Sequence, residues 1–240
     1  MAGLWNNFVS FLNLNPTGFR CYLDFDHPLS GIVVPSVSGG QAVHSGTWVG
    51  ATGNVYKVSG SGFWGRGEAI RLNNVSGLTG TNSFTWLAVF EKSGISDGTL
   101  ISTMTTGLTQ GYDSTLGYII GFNTANNLFF EYVNKGENTT LTYTEPLATK
   151  NAIAVVRSNN SLSFYNYDFS ANILNGQNYT INSDCLFSPT GYYIGKAVNA
   201  PLSYSGKAFS GYIDELLYFN QALDPTALKY LLSGGTPGGN

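Results

Sequence analysis

The chain has 240 residues, of which 42% are apolar, 14% aromatic and 10% charged, with 11 basic against 14 acidic side chains and a net charge of -3. That length admits one large domain or two small ones, and so little charge in a chain this rich in Gly, Asn, Ser and Thr excludes a coiled coil, a solenoid of charged helices and an acidic disordered tail. The charge balance leaves no electrostatic footprint for nucleic acid, and no apolar run approaches the roughly 18 residues that a membrane span requires.

Near the N-terminus Leu4, Phe8 and Leu12 recur every four residues, with Trp5 and Val9 beside them. This spacing predicts a short amphipathic helix over about 4–12, ended before Pro16. Nothing basic precedes Arg20, and Asn6, Asn7, Asn13 and Asn15 interrupt the apolar stretch, so it does not read as an export signal. Two readings stay open: a helix packed on its own domain, or a docking segment that offers Leu4, Trp5, Phe8 and Leu12 to a larger assembly or to a second copy of the chain. The expected organisation is a docking segment at 1–19, one sandwich domain at 20–234 and a flexible tail at 235–240.

From about residue 20 the chain reads as short strands separated by turn residues, the pattern of an all-β sandwich. The clearest predicted strands are 68–72, 84–90, 99–102, 118–122, 128–133, 152–157, 161–167, 192–194 and 211–219. All are rich in β-branched or aromatic residues, which suit a pleated, half-buried surface. Turn signals fall between them at Ser93-Gly94, Asp97-Gly98, Asn126-Asn127, Asn159-Asn160 and Gly206. Strands 152–157 and 161–167, joined by Ser158-Asn159-Asn160, form a predicted hairpin. Near the end Asp224 caps a predicted helix, Pro225 takes its first position, Leu228, Leu231 and Leu232 make its apolar side, and Gly234-Gly235 stop it.

The chemistry-bearing patterns are few. Gly60-Ser-Gly-Phe-Trp-Gly65 matches G-x-G-x-x-G, but the dinucleotide fingerprint needs a helix after it, and 68–72 alternates as a strand. The glycines are expected in a flexible loop with Phe63 and Trp64 folded inward. There is no G-x-S-x-G elbow and no P-loop. His27 and His44 lack metal-site spacing, and Cys21 and Cys185 read as two buried free thiols or as one bridge closing a long loop. The acidic residues are scattered, and the adjacent pair Asp214-Glu215 would point to opposite faces of a regular strand. The paired carboxylates of a retaining glycosidase are therefore missing, and the chain is not expected to be an enzyme.

The run Gly211-Tyr-Ile-Asp-Glu-Leu-Leu-Tyr-Phe-Asn-Gln-Ala-Leu-Asp224 resembles the last strand of the laminin-G-like members of the concanavalin A-like lectin/glucanase superfamily, G-x-I-D-E-V-R-I-Y-N-R-A-L-S. The likeness continues through the chain in the family's order: Tyr22-Leu-Asp-Phe-Asp26 is similar to its Y-x-x-F-D, Glu68-Ala-Ile-Arg-Leu72 to its K-A-L-x-F, and Ser83-Phe-Thr-Trp-Leu-Ala-Val-Phe90 to its S-F-T-I-S-A-W-V. Ala152–Arg157 followed by Leu162–Tyr165 resembles its hairpin, and Tyr193-Ile-Gly195 its L-Y-I-G. The resemblance implies a jelly-roll sandwich of two antiparallel sheets. It also implies a structural calcium between the first and last strands, with Asp26 and Asp214 as side-chain ligands and carbonyls and water completing the shell. The alternative for Asp214 is a hydrogen bond to a loop backbone. Leu217 stands where the family has Arg, and with Phe219 it makes one side of that strand apolar, either covered by a neighbour or a contact surface. The E-x-D-x-x-E of the superfamily's glucanases is absent.

Glycan sites need rings for sugar faces and amides or carboxylates for hydroxyls. Loop 103–117 offers Gln110, Tyr112 and Asp113, and loop 199–207 offers Tyr204. The expected function is a non-enzymatic carbohydrate-binding or adhesion module on a virion surface or tail, binding surface polysaccharide and other virion subunits, with a homo-oligomer allowed. The alternatives are a purely structural virion decoration or assembly protein without a glycan ligand and, third, a polysaccharide-degrading enzyme. An extracellular or cell-surface location reached without a signal peptide is the alternative placement. A sandwich fold hosts all of these, so the site has to decide.

Overall fold

A computed structural model describes residues 19–24, 45–49, 63–66, 69–73, 83–92, 97–104, 117–134, 137–148, 150–181, 191–195 and 209–233; up to residue 73, and at 104, 133, 134, 137, 138, 191, 193, 210, 212, 214 and 215, it describes the backbone alone. The strands are Phe19–Asp24 (β1), Ser45–Val49 (β2), Phe63–Arg66 (β3), Ala69–Asn73 (β4), Ser83–Lys92 (β5), Gly98–Met104 (β6) and Tyr118–Phe122 (β7). They continue with Leu128–Asn134 (β8), Glu137–Thr142 (β9), Lys150–Ser158 (β10), Ser161–Asp168 (β11), Ile173–Thr180 (β12), Gly191–Ile194 (β13) and Ser210–Phe219 (β14), followed by helix Pro225–Ser233 (α1). One sheet runs β1-β14-β5-β10-β11-β12, with β3 also paired to β14, and the other runs β2-β4-β13-β6-β7-β8-β9. All pairings are antiparallel. The expected all-β jelly-roll sandwich is the fold.

Strand alternation builds the core. Register places Trp86 of β5 opposite Val155 of β10 and Tyr218 of β14, so these share a face with Phe84 and Phe90. That face meets the other sheet through aromatic rings: Phe84–Tyr118 at 5.3 Å, Trp86–Tyr192 at 5.0 Å and Phe90–Phe122 at 5.2 Å between centroids. The polar atoms of these rings serve one another. Trp86 Nε1 donates to the Tyr118 hydroxyl at 2.7 Å, and that hydroxyl donates to Tyr192 at 3.2 Å. Burial holds both tyrosines well above their ordinary pKa.

β5 and β10 are buried on both faces. The side of β14 that bears Leu217 and Phe219 is accordingly covered, and both residues lie in the core. Thr85, opposite Phe219, pins part of that cover: its hydroxyl donates to the Gln221 carbonyl at 2.8 Å and accepts from the Leu223 N–H at 2.9 Å. The helix follows, packing on β11 and β12 with Leu228, Leu231 and Leu232 buried. Its cap is as expected, with Asp224 Oδ1 accepting from Ala227 N at 2.8 Å. The hairpin is also as expected. Ser158 pairs with Ser161, and Asn159 turns the chain with φ 50°.

Three expectations need correction or placement. Phe63–Arg66 is not loop but strand β3, paired with Ser210–Ile213, because its aromatic residues find a ladder on β14. The pairing of β14 with β5 shifts between Ile213 and Glu215, so Asp214 is the extra residue of a β-bulge and the simple alternation assumed for Asp214-Glu215 is interrupted. The N-terminal helix, the tail at 235–240, Asp26, His27, His44 and Cys185 lie outside the described residues, and Cys21 is a backbone position in β1.

Candidate functional site

The segment after β9 leaves one sheet and enters β10 of the other, crossing one end of the sandwich. It is tied down on the way. Tyr143 N donates to the Leu128 carbonyl, Thr144 donates from its N–H and hydroxyl to Gln177 Oε1 at 3.0 and 3.2 Å, and the Tyr179 hydroxyl donates to the Thr142 carbonyl. Burial pushes the Tyr143 hydroxyl up to about 12. Past this anchor, Pro146 and Ala148 line a cleft of about 640 Å³ together with residues of β10, β11, β12 and the β11–β12 turn.

Three asparagines on three adjacent strands belong to this cleft: Asn151 of β10, Asn166 of β11 and Asn175 of β12. Asn166 pairs across the ladder with Asn175 on one side and Ile153 on the other, so all three share the inward-facing register. Asn151 is 1% exposed and Asn166 9%. The Asn151 amide donates from Nδ2 to the Ala148 carbonyl at 2.7 Å, which orients its oxygen away from that bond. Neither Asn151 Oδ1 nor Asn166 Oδ1 has a hydrogen-bond partner among the described residues. Leaving a buried acceptor unmet costs about 1–3 kcal/mol, so two in one cleft call for a donor from solvent or a ligand.

The β11–β12 turn closes the cleft with its own bonds. Asp168 Oδ1 accepts from the Ser170 hydroxyl at 2.6 Å and from the Ser170 and Ala171 N–H groups at 2.8 and 3.1 Å. These bonds hold the Asp168 carboxyl below its ordinary pKa. The Tyr167 hydroxyl donates to Asn172 Oδ1 at 2.6 Å, and Asn172 takes φ 56°. The turn so fixed carries Phe169, whose ring meets Tyr167 edge-to-face at 5.1 Å. Lys150 stands in the lining, 3.6 Å from Glu91 in an exposed ion pair. Among the described lining residues Asp168 is the one carboxylate, so they offer acceptors and a ring but no pair of carboxyl groups.

A second cleft, about 650 Å³, lies between α1 and β12 and includes Ile173 and Tyr230, the large apolar side chains exposed among the described residues. Among the described residues no group of three His, Cys, Asp or Glu side chains is placed to hold a metal, and no helix is long and apolar enough to cross a membrane.

The residues proposed from sequence fall differently. Gln110, Tyr112, Asp113, Tyr204 and Asp26 lie outside the described residues, as do Leu4, Trp5, Phe8 and Leu12. Asp214 is described by its backbone. It sits at the bulge where β14 changes partner from β3 to β1, next to the Asp24–Glu215 pair. Asn151, Asn166 and Phe169 were not singled out from the sequence. The available signal was an amide at a core-facing position of two strongly apolar strands, since buried polar residues are the informative exceptions.

No family model matches the chain, and no curated protein matches it. Solved structures match in fold. Domain 4 of AbnA, a GH43 extracellular arabinanase from Geobacillus stearothermophilus solved in complex with arabinotriose, is 16% identical with a TM-score of 0.59 over 89% of this chain and 98% of that one. The NanB sialidase from Streptococcus pneumoniae is 16% identical with a TM-score of 0.55 over 75% of this chain, which spans only 28% of the sialidase chain. The Ruminococcus gnavus IT-sialidase CBM40 bound to α2,3-sialyllactose is 11% identical with a TM-score of 0.50 over 73% of this chain and 94% of that one. Topology, core and these likenesses agree on a β-sandwich of two antiparallel sheets.

Proposed function

We propose that this chain is a non-enzymatic carbohydrate-binding module and that sugar binds in the cleft over Asn151 and Asn166. The observation that carries the reading is the pair of buried amide oxygens, without a partner among the described residues, beside the half-buried ring of Phe169. Sugar hydroxyls donate to amide oxygens, and an aromatic ring takes the apolar face of a sugar. The fold supports it, since AbnA domain 4 and the R. gnavus CBM40 were solved with arabinotriose and sialyllactose. A glycan array probed with an oligomerised form, which raises avidity, tests the proposal. We expect hits whose monomer affinity is roughly millimolar to micromolar, because a small, partly open site leaves little surplus over the cost of association. No hit on a broad array would overturn it in favour of a purely structural protein.

The motif series from Tyr22 to Asp224 supports a finer placement among the laminin-G-like sandwiches, and Gln110, Tyr112, Asp113 and Tyr204 are proposed as a second set of sugar contacts. For calcium, Asp26 and Asp214 are proposed as the side-chain ligands; the backbone of Asp214 lies at the β14 bulge beside the Asp24–Glu215 pair, where β1 and β14 run together, and the ion takes carboxylate and carbonyl oxygens. We expect chelator to lower the melting temperature of the wild type and to leave Asp214→Ala unchanged; an unmoved wild-type curve would remove the site. The low charge and the apolar segment at Leu4, Trp5, Phe8 and Leu12 support a place on a virion surface or tail.

A further inference from the structure

We infer that the cleft over Asn151 and Asn166 selects an uncharged, hydroxyl-rich saccharide and rejects an acidic one; the inference rests on the carbohydrate reading above. Each polar group of the lining can be sorted by what it is able to receive. Asn151 Oδ1 and Asn166 Oδ1 are acceptors, buried and without a partner among the described residues, so each takes a hydrogen-bond donor. A sugar hydroxyl supplies one. A carboxylate has no proton to give, and it would set its charge against two carbonyl dipoles in a poorly solvated place.

The charged residues point the same way. Asp168 is kept ionised by the Ser170 and Ala171 groups that donate to it, so it repels an anion. Lys150 is the one cationic side chain among the described lining residues, and its ammonium is already 3.6 Å from Glu91. Among the described residues no arginine lines the cleft, so they do not supply the bidentate fork that best grips a carboxylate. With Lys150 engaged by Glu91, the lining presents the negative charge of Asp168 and a row of amides with the Phe169 ring beside it. That set reads hydroxyl positions and the C–H face of a neutral sugar.

The test is an array of matched pairs, each a neutral oligosaccharide and its acidic counterpart (lactose and sialyllactose among them), followed by calorimetric titration of the hits. We expect the neutral member to bind at least tenfold tighter than its acidic partner. Asn166→Leu should abolish neutral binding without lowering the melting temperature, because it removes the unmet oxygen, and Asn166→Ala repeats the test should the larger side chain disturb packing. Tighter binding of the acidic members, lost with Lys150→Ala, would overturn the inference while leaving the carbohydrate reading intact, as would neutral binding unchanged in both Asn166 variants. Binding of no member of either kind would overturn both.

Discussion

Lys92 shows what a single side chain does when both sheets close on it. It ends β5, is 5% exposed, donates to Asn126 Oδ1 in the turn between β7 and β8, and holds its ammonium 4.2 Å from the centre of the Phe122 ring. The lysine of one sheet thus bridges to a turn of the other. Burial lowers its pKa from 10.5 to about 8. In the unfolded chain the proton stays until about pH 10.5, whereas the folded protein sheds it near 8. Between those values the unfolded state binds more protons, so stability rises with pH. We expect urea midpoints to climb from pH 7.5 to 9.5 in the wild type and the slope to vanish in Lys92→Met. Parallel slopes in the two proteins would mean that another group titrates.

At the scale of elements, two of the strands that the sequence concealed are polar. β9 and β12 read ENTTLT and ILNGQNYT, sequences without an apolar alternation to announce them. They are strands because β8 and β11 present open ladders to them, and their backbone groups must find partners somewhere. β12 gains further hold from the Gln177 and Tyr179 bonds to the segment after β9. The helix was legible for the opposite reason, since cap, first-position proline and apolar stripe are all local. Its cap also serves the sheet, because α1 covers part of β11 and β12. Asp224→Ala should therefore cost about 1 kcal/mol of stability, measured by chemical denaturation. A change near zero would show that packing alone holds the first turn.

For the whole molecule, the open question is what the segment before β1 does. One account has it fold back over Leu217 and Phe219, but the chain already brings residues 221–223 to that side through Thr85. Deleting residues 2–15 should then leave the melting temperature nearly unchanged and abolish self-association or incorporation into particles, read by light scattering and by sedimentation with the assembly. A short isolated helix is marginal in water, so its apolar stripe needs a partner to be stable. A loss of several kcal/mol on truncation would place the segment in the core.

The sequence alone determined the sandwich, its central hairpin and its terminal helix, because alternation, turn chemistry and capping act over a few residues. It also excluded the familiar catalytic patterns by their absence from the chain. The cleft was decided by tertiary structure. Asn151, Asn166 and Phe169 read singly as two strand amides and a turn aromatic, and only the register of β10, β11 and β12, together with the crossing segment at 143–148, brings them to one place. Whether a buried amide oxygen is met or left open depends on neighbours distant in sequence, and no local pattern carries that information.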